Sequence, residues 1–224
     1  MKFQDIELEW LGHSAFKLVI EGKIIYIDPY QLTSVASPEK ADIILLTHSH
    51  YDHCSQKDIE RVMKTGTIIV CPVDCQSKIA RLSVRINLEP VEPGIELNLN
   101  NLKIRSVEAY NNNKKFHPKS EGWLGYVIQT EKTVLYHAGD TDLIKEMEKL
   151  TGYSKKGNYF IALLPVGGTY TMNSEEAAKA ASIIKPTLTI PIHWGSIIGS
   201  REDAKKFCKL CKEQGIKAQI LEKS

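Results

Sequence analysis

The chain has 224 residues, 42% of them apolar and 25% charged, an ordinary globular composition with length enough for one large domain or two small ones. With 29 Lys and Arg against 27 Asp and Glu, the net charge of +2 gives no electrostatic footprint for nucleic acid or an anionic membrane. No apolar leader precedes the first strand pattern, no segment reaches bilayer-spanning length, and five cysteines, an odd number, argue against a disulfide framework; the expected location is cytoplasmic.

Alternating runs at 6–11 and 15–20, then a tight turn at Glu21-Gly22-Lys23 into 24–27, predict an antiparallel meander. The apolar run Asp42-Ile43-Ile44-Leu45-Leu46 predicts a buried strand, and it leads into Thr47-His48-Ser49-His50-Tyr51-Asp52-His53. Three imidazoles and a carboxylate thus leave one strand end together. A turn this tight cannot direct such groups inward without a partner, and imidazole nitrogen and carboxylate oxygen are the donors that zinc and its first-row neighbours accept. Residues two apart on an extended segment share a side, so His48 and His50 can hold one ion while Asp52 and His53, beyond the bend, reach a second. The competing reading, a surface loop that happens to be rich in histidine, requires a six-position pattern to arise without a use.

A helix is predicted from near Ser55, whose hydroxyl caps it while Asp58 favours its positive end; it stops by Gly66, before a strand at 67–70. Short alternating runs over 81–108, broken at Glu89-Pro90 and Pro93-Gly94, predict further antiparallel strands. A polar loop at 111–122 precedes strand 125–129, which pairs with 133–137. Helices follow at 142–150, 174–184 and 201–214. Asn173 and Ser200 are candidate caps, Pro186 lies just past the second helix, and Gly215 ends the third. Strands at 160–164 and 187–192 lie between them. Cys208 and Cys211 share one helix face with Ala204 and Phe207, which favours core packing over a redox pair. Strands first and strand–helix alternation afterwards, in each half, predict an α+β chain with two sheets covered by helices. This is a four-layer αββα sandwich in a single domain, 1–224.

Four strands end beside reactive or unusual groups: Leu46 before His48, Tyr136 before His137-Ala138-Gly139-Asp140, Leu164 before Pro165-Val166-Gly167-Gly168-Thr169-Tyr170, and Ile192 before His193-Trp194-Gly195. Asp140 and His193 complete the donor set begun at 48–53 if these ends meet. Together with Trp10-Leu11-Gly12-His13-Ser14-Ala15-Phe16, Ile27-Asp28-Pro29-Tyr30, Thr141, Thr171-Met172 and Pro191, these motifs run in order along nearly the whole chain. They resemble the metallo-β-lactamase fold superfamily, and within it the lactonase-like metal-dependent hydrolases related to ascorbate-6-phosphate lactonase.

The resemblance implies an αββα sandwich with the site at one edge, between the sheets. It implies that His48 and His50 bind a first metal, that Asp52, His53 and His193 bind a second, and that Asp140 bridges them. Related chains usually carry a further histidine at the end of the strand finishing here at 107–110, where this chain has Asn111-Asn112-Asn113. His117 is expected to fold back into that place; otherwise the first metal is short of a ligand.

Other residues have two readings each. His13 touches substrate or supplies a proton, or is a loop histidine bonded to backbone. His137 is expected to orient a ligand, and Asp28 to accept a hydrogen bond from a ligand imidazole or merely to make a turn. Tyr170 presents its hydroxyl to substrate or packs; Trp123 and Trp194 floor a pocket or fill the core. The lysines within 111–119 attract an anionic substrate or are simply solvated.

The expected function is hydrolysis of a small ester, lactone or phosphoester by a metal-bound hydroxide. Asp52 and Asp140 anchor two divalent ions, zinc or else manganese, iron or nickel, and one of them takes the proton. A metallo-phosphodiesterase or nuclease of the same fold, and a non-catalytic metal-binding module, are the alternatives. The expected partner is a small molecule, anionic if those lysines bear on it, with no nucleic acid or membrane and with self-association open.

Overall fold

In the computed structural model, which describes residues 1–32, 38–82, 84–99, 101–154 and 157–224, the predicted three-stranded meander forms and a short strand precedes it. These four strands are β1 (Lys2–Phe3), β2 (Ile6–Gly12), β3 (Ala15–Ile20) and β4 (Lys23–Ile27), each antiparallel to the next. Glu21 and Gly22, at φ 51° and 76°, make the two-residue turn whose twist suits a hairpin. Next come β5 (Ile43–Leu45), α1 (Gln56–Val62), β6 (Ile68–Cys71), α2 (Gln76–Ile79) and β7 (Asn87–Pro90). From β4 to β7 every pairing is parallel, so the first sheet runs β1 to β7 in chain order.

The second half repeats this plan. Strands β8 (Glu96–Leu99), β9 (Leu102–Glu108), β10 (Leu124–Gln129) and β11 (Thr133–His137) are antiparallel, and β12 (Tyr159–Pro165) and β13 (Leu188–Ile192) extend them in parallel. The sheet order is β13-β12-β11-β10-β9-β8. Helices α3 (Ser174–Ile184) and α4 (Arg201–Glu213) start on capping boxes at Asn173 and Ser200, and Ser55 caps α1 through the Asp58 amide.

Two expectations need correction. The segment 87–90 pairs parallel with β6, because the chain crosses over through the short helical stretch at 73–79 instead of turning directly back. That stretch was not foreseen; it is too short for a helical period. The helix expected over 142–150 is a 3₁₀ segment at Lys145–Leu150 only, since Ile144 is extended and the Asp142 carboxylate is engaged by the Asn112 amide and Lys114.

Alternation in the strands decides which layer each side chain enters. Ile6, Leu8, Phe16, Leu18, Ile25, Ile43 and Leu45 face the second sheet and share a core with Ile104, Leu124, Tyr126 and Ile128. Their neighbours Leu11, Ala15, Tyr26, Ile44 and Leu46 face the other way and pack with Ile59 and Val62 of α1 and Ile79 of α2. On the far side, Ala177, Ala181 and Ile184 of α3 and Ala204, Phe207 and Cys211 of α4 cover the second sheet. The layers are therefore helix, sheet, sheet, helix, an α+β sandwich. At one edge, backbone bonds cross between the sheets: Leu124 N–H donates to Thr47 O at 2.9 Å and His193 N–H to His13 O at 3.0 Å. No helix among the described residues is long and apolar enough to cross a membrane.

Candidate metal centre

Parallel strands leave their carboxyl ends at one edge of each sheet, and β5, β11 and β13 deliver the reactive loops there. Asp28, just after β4 at φ 44°, organises the first loop. Its Oδ1 accepts from Thr47 N–H at 2.8 Å, and its Oδ2 accepts from the Thr47 hydroxyl at 2.7 Å and from His53 Nδ1 at 2.7 Å. His53 therefore carries its proton on Nδ1 and turns a lone pair on Nε2 towards Asp140 Oδ1, 3.3 Å away, and Asp52 Oδ2, 3.5 Å away. Because the Thr47 hydroxyl donates to Asp28, it can only accept from His48 Nδ1, at 3.0 Å. His48 Nε2 then faces His50 Nδ1 at 3.0 Å and lies 4.0 Å from Asp140 Oδ2.

Asp140 follows Gly139, which sits at φ 64° where a Cβ would lie 2.5 Å from Leu124 O, so only glycine fits this exit from β11. His193 Nε2 is 3.0 Å and His117 Nε2 is 3.3 Å from Asp140 Oδ2. The loop after Asn111 does curl back as expected, closed by Asn111 N–H donating to His117 O at 2.8 Å. His13, Asp28, His117 and His193 are four of the eight non-glycine residues at positive φ among the described residues, so left-handed backbone is concentrated where the donors converge.

Three overlapping sets of donor atoms result, each lying within 4.8 Å: His13, Asp52, His53 and His193; His48, His50 and His117; His48, His53 and Asp140. Buried atoms of this cluster lack any hydrogen-bond partner in the protein, namely His53 Nε2, His117 Nε2, Asp140 Oδ1 and His193 Nε2. Orphaned lone pairs that face one another are costly in a protein interior, and a cation satisfies all of them at once. The donor set thus fits one or more divalent ions.

The electrostatics agree. Burial alone would raise the Asp140 carboxyl, but His193 and His53 beside it hold it well below the usual range. Burial pushes His48 well down, and His53 adds to this, so its imidazole stays neutral and able to ligate. Burial would likewise lower His53, but Asp140 and Asp28 on either side raise it well above its ordinary value, so without an ion Nε2 takes up a proton that a bound cation would displace.

The cluster forms the floor of a cavity of ≈ 230 Å³, with His50, Asp52, His117, Asp140 and His193 exposed to it. Tyr51, Phe116, Tyr170 and Ile197 make its walls. Of the two readings of Trp123, the structure favours support beneath the site: buried beside β10, it lies 4.8 Å from the ring centres of both His48 and His50 and 5.2 Å from that of His117. Its Nε1 donates to Asp74 at 2.7 Å. Trp194 packs instead on Trp10, 4.7 Å between ring centres.

His13 is not at the mouth of this cavity. It is buried behind the floor, its Nε2 3.1 Å from Asp52 Oδ2, and it lines a separate cavity of ≈ 200 Å³ beside Tyr30 and Trp194. Burial, opposed only in part by Asp52, lowers its pKa to about 4. His137, within β11, donates through Nε2 to Ser14 O at 2.9 Å and accepts at Nδ1 from Gly139 N–H at 3.2 Å, so it fixes the Gly139 turn from which Asp140 projects. Cys208 and Cys211 are free thiols, Cys211 fully buried, in keeping with a packing role.

Fold and donors together define a class, and comparison with known proteins agrees. The model of the beta-lactamase superfamily domain matches residues 7–193. The UPF0173 metal-dependent hydrolase of Thermococcus onnurineus is 33% identical over 226 residues, covering 96% of this chain and 95% of its own; that of Caldivirga maquilingensis is 35% identical, covering 91% and 88%. Among solved structures, a protein of Parabacteroides distasonis superposes with a TM-score of 0.83 at 30% identity, covering 98% of this chain and 94% of its own. A novel metallo hydrolase of Ignicoccus hospitalis gives 0.77 at 25%, covering 98% and 96%. The chain belongs to the metallo-β-lactamase superfamily, within its UPF0173 group of metal-dependent hydrolases.

Proposed function

We propose that the chain, as a single domain, hydrolyses a small ester, lactone or phosphoester with two divalent ions, zinc or else manganese, iron or nickel. The observation that most supports this is the convergence of unpartnered buried donors on the floor of an open cavity. An open position beside the donors favours catalysis over a closed, purely structural or sensing site. On this reading His48, His50 and His117 would hold one ion and Asp52, His53 and His193 the other, with Asp140 available to both.

Ions bound there lower the pKa of a water from about 15.7 towards about 7 and polarise an oxygen of the substrate. The chain supplies the rest. Asp28 and Thr47 fix the tautomers of His53 and His48, so that each turns its Nε2 inward. Asp52 receives the proton of the attacking water at Oδ2, where His13 Nε2 at 3.1 Å steadies it. Tyr170, on the wall, offers its hydroxyl to the leaving group. No serine or cysteine nucleophile is required.

The test is elemental analysis of the purified protein together with a hydrolysis screen of lactones, esters and phosphodiesters, with and without chelator. Asp52→Ala should lose metal and at least about a thousandfold in rate while keeping its circular dichroism. Parental rates in that variant would refute the reading.

A further inference from the structure

The walls of the cavity carry an unusual share of the molecule's exposed apolar surface. Tyr51 is 62%, Phe116 47% and Ile197 38% exposed, and these are three of the six large apolar side chains so exposed among the described residues. Single exposed apolar side chains are ordinary, but three that line one cavity form a patch, and patches of this kind mark binding sites. They come from three distant stretches: the histidine loop, the loop before His117, and the turn after β13. The half-buried Tyr170 joins them, its ring 4.7 Å from that of Phe116 and nearly perpendicular to it.

Charge points the same way. No Lys or Arg lines the cavity among the described residues. Three of the lysines around it have other partners: Lys114 holds Asp142 and Thr171 O, Lys119 holds Glu146 at 2.8 Å, and Lys78 holds Ser49 O; Lys115, next to Phe116, is exposed and is not among the lining residues. The lining itself therefore offers no cation to pair with a phosphate or carboxylate carried away from the scissile bond.

We infer that the substrate is an uncharged ester or lactone with a short alkyl or aryl group beside the scissile bond, seated between Tyr51, Phe116, Tyr170 and Ile197. This rests on the metal-dependent hydrolase reading and narrows it. A cavity of ≈ 230 Å³ lies below the usual range for drug-sized ligands, so the apolar group is small and part of it stays at the rim.

Calorimetry on the zinc-loaded full chain with straight-chain alkyl hydroxamates, acetyl to octanoyl, tests the inference without turnover, since the hydroxamate grips the ions and the chain probes the wall. Affinity should rise about two- to fourfold per methylene until the cavity is filled. An ω-carboxylate at equal length should cost at least about tenfold, because it finds no cation there. Phe116→Ser and Ile197→Ser should each flatten the rise at unchanged zinc content. Affinity that ignores chain length, tighter binding of the ω-carboxylates, or no hydroxamate binding at full zinc content would each overturn the inference. Chain-dependent binding without cleavage of the matching esters would instead sink the hydrolase reading and leave the apolar seat standing.

Discussion

Three donors arrive at the Asp28 carboxylate, two from Thr47 and one from His53. An amide offers a single acceptor oxygen and so cannot satisfy all three. Asp28→Asn should therefore weaken the ion held by His53 about 10- to 100-fold, measured by competition with a chromogenic chelator. His117 has the same logic from the opposite side. Its Nε2 is unpartnered, and Asn111 Nδ2 already donates to Tyr170 O at 2.7 Å. His117→Ala and His48→Ala should lose equal amounts of metal, whereas Asn111→His should gain none; a gain would show the first site to be short of a donor. At this scale the histidine loop was legible because six positions of one motif carry it. The company His13 keeps with Asp52, and Trp123 with three imidazoles, was not, since neither pairing leaves a local pattern.

The loop that carries Phe116 and His117 is anchored at its ends by neighbouring elements. Tyr110 OH donates to Glu146 Oε2 and Lys119 Nζ to Glu146 Oε1, both at 2.8 Å, which ties both flanks of the loop to the 3₁₀ segment. Burial alone would raise Glu146, but the bonds from Lys119 and Tyr110 bring it down to about 2 from an ordinary 4.5. A carboxylate lowered on folding contributes stability above its unfolded pKa and loses it as pH falls through the folded value. Glu146→Gln should thus cost up to about 1 kcal/mol at pH 7, Lys119 being largely exposed, and the gap from the parent should close between about pH 4.5 and 2 in urea titrations. The elements with a clear period and caps, α3 and α4, were foreseen within a residue or so. The 3₁₀ segment was overextended because its forerunner Asp142 is claimed by Asn112 and Lys114, residues about 30 positions away.

Across the whole molecule, the donors come from both sheets: His48 to His53 from the first, Asp140 and His193 from the second. Bound ions therefore join the two halves at their shared edge, and their binding free energy adds to that of folding. Chelation should lower the melting temperature by roughly 5–10 °C for ions present at about a hundredfold over Kd, reversibly on adding zinc. An unchanged melting point after verified metal loss would count against ions spanning the sheets.

The chain by itself determined the layers and the donor inventory, because strand alternation, helix period and caps are local rules that each segment obeys alone. Tertiary structure alone decided which way β7 pairs, that Lys78, Lys114 and Lys119 are bound elsewhere, and that Tyr51, Phe116 and Ile197 meet around one opening. Those outcomes depend on partners tens of residues apart, whose approach is set by the packing of two sheets and not by any spacing along the chain.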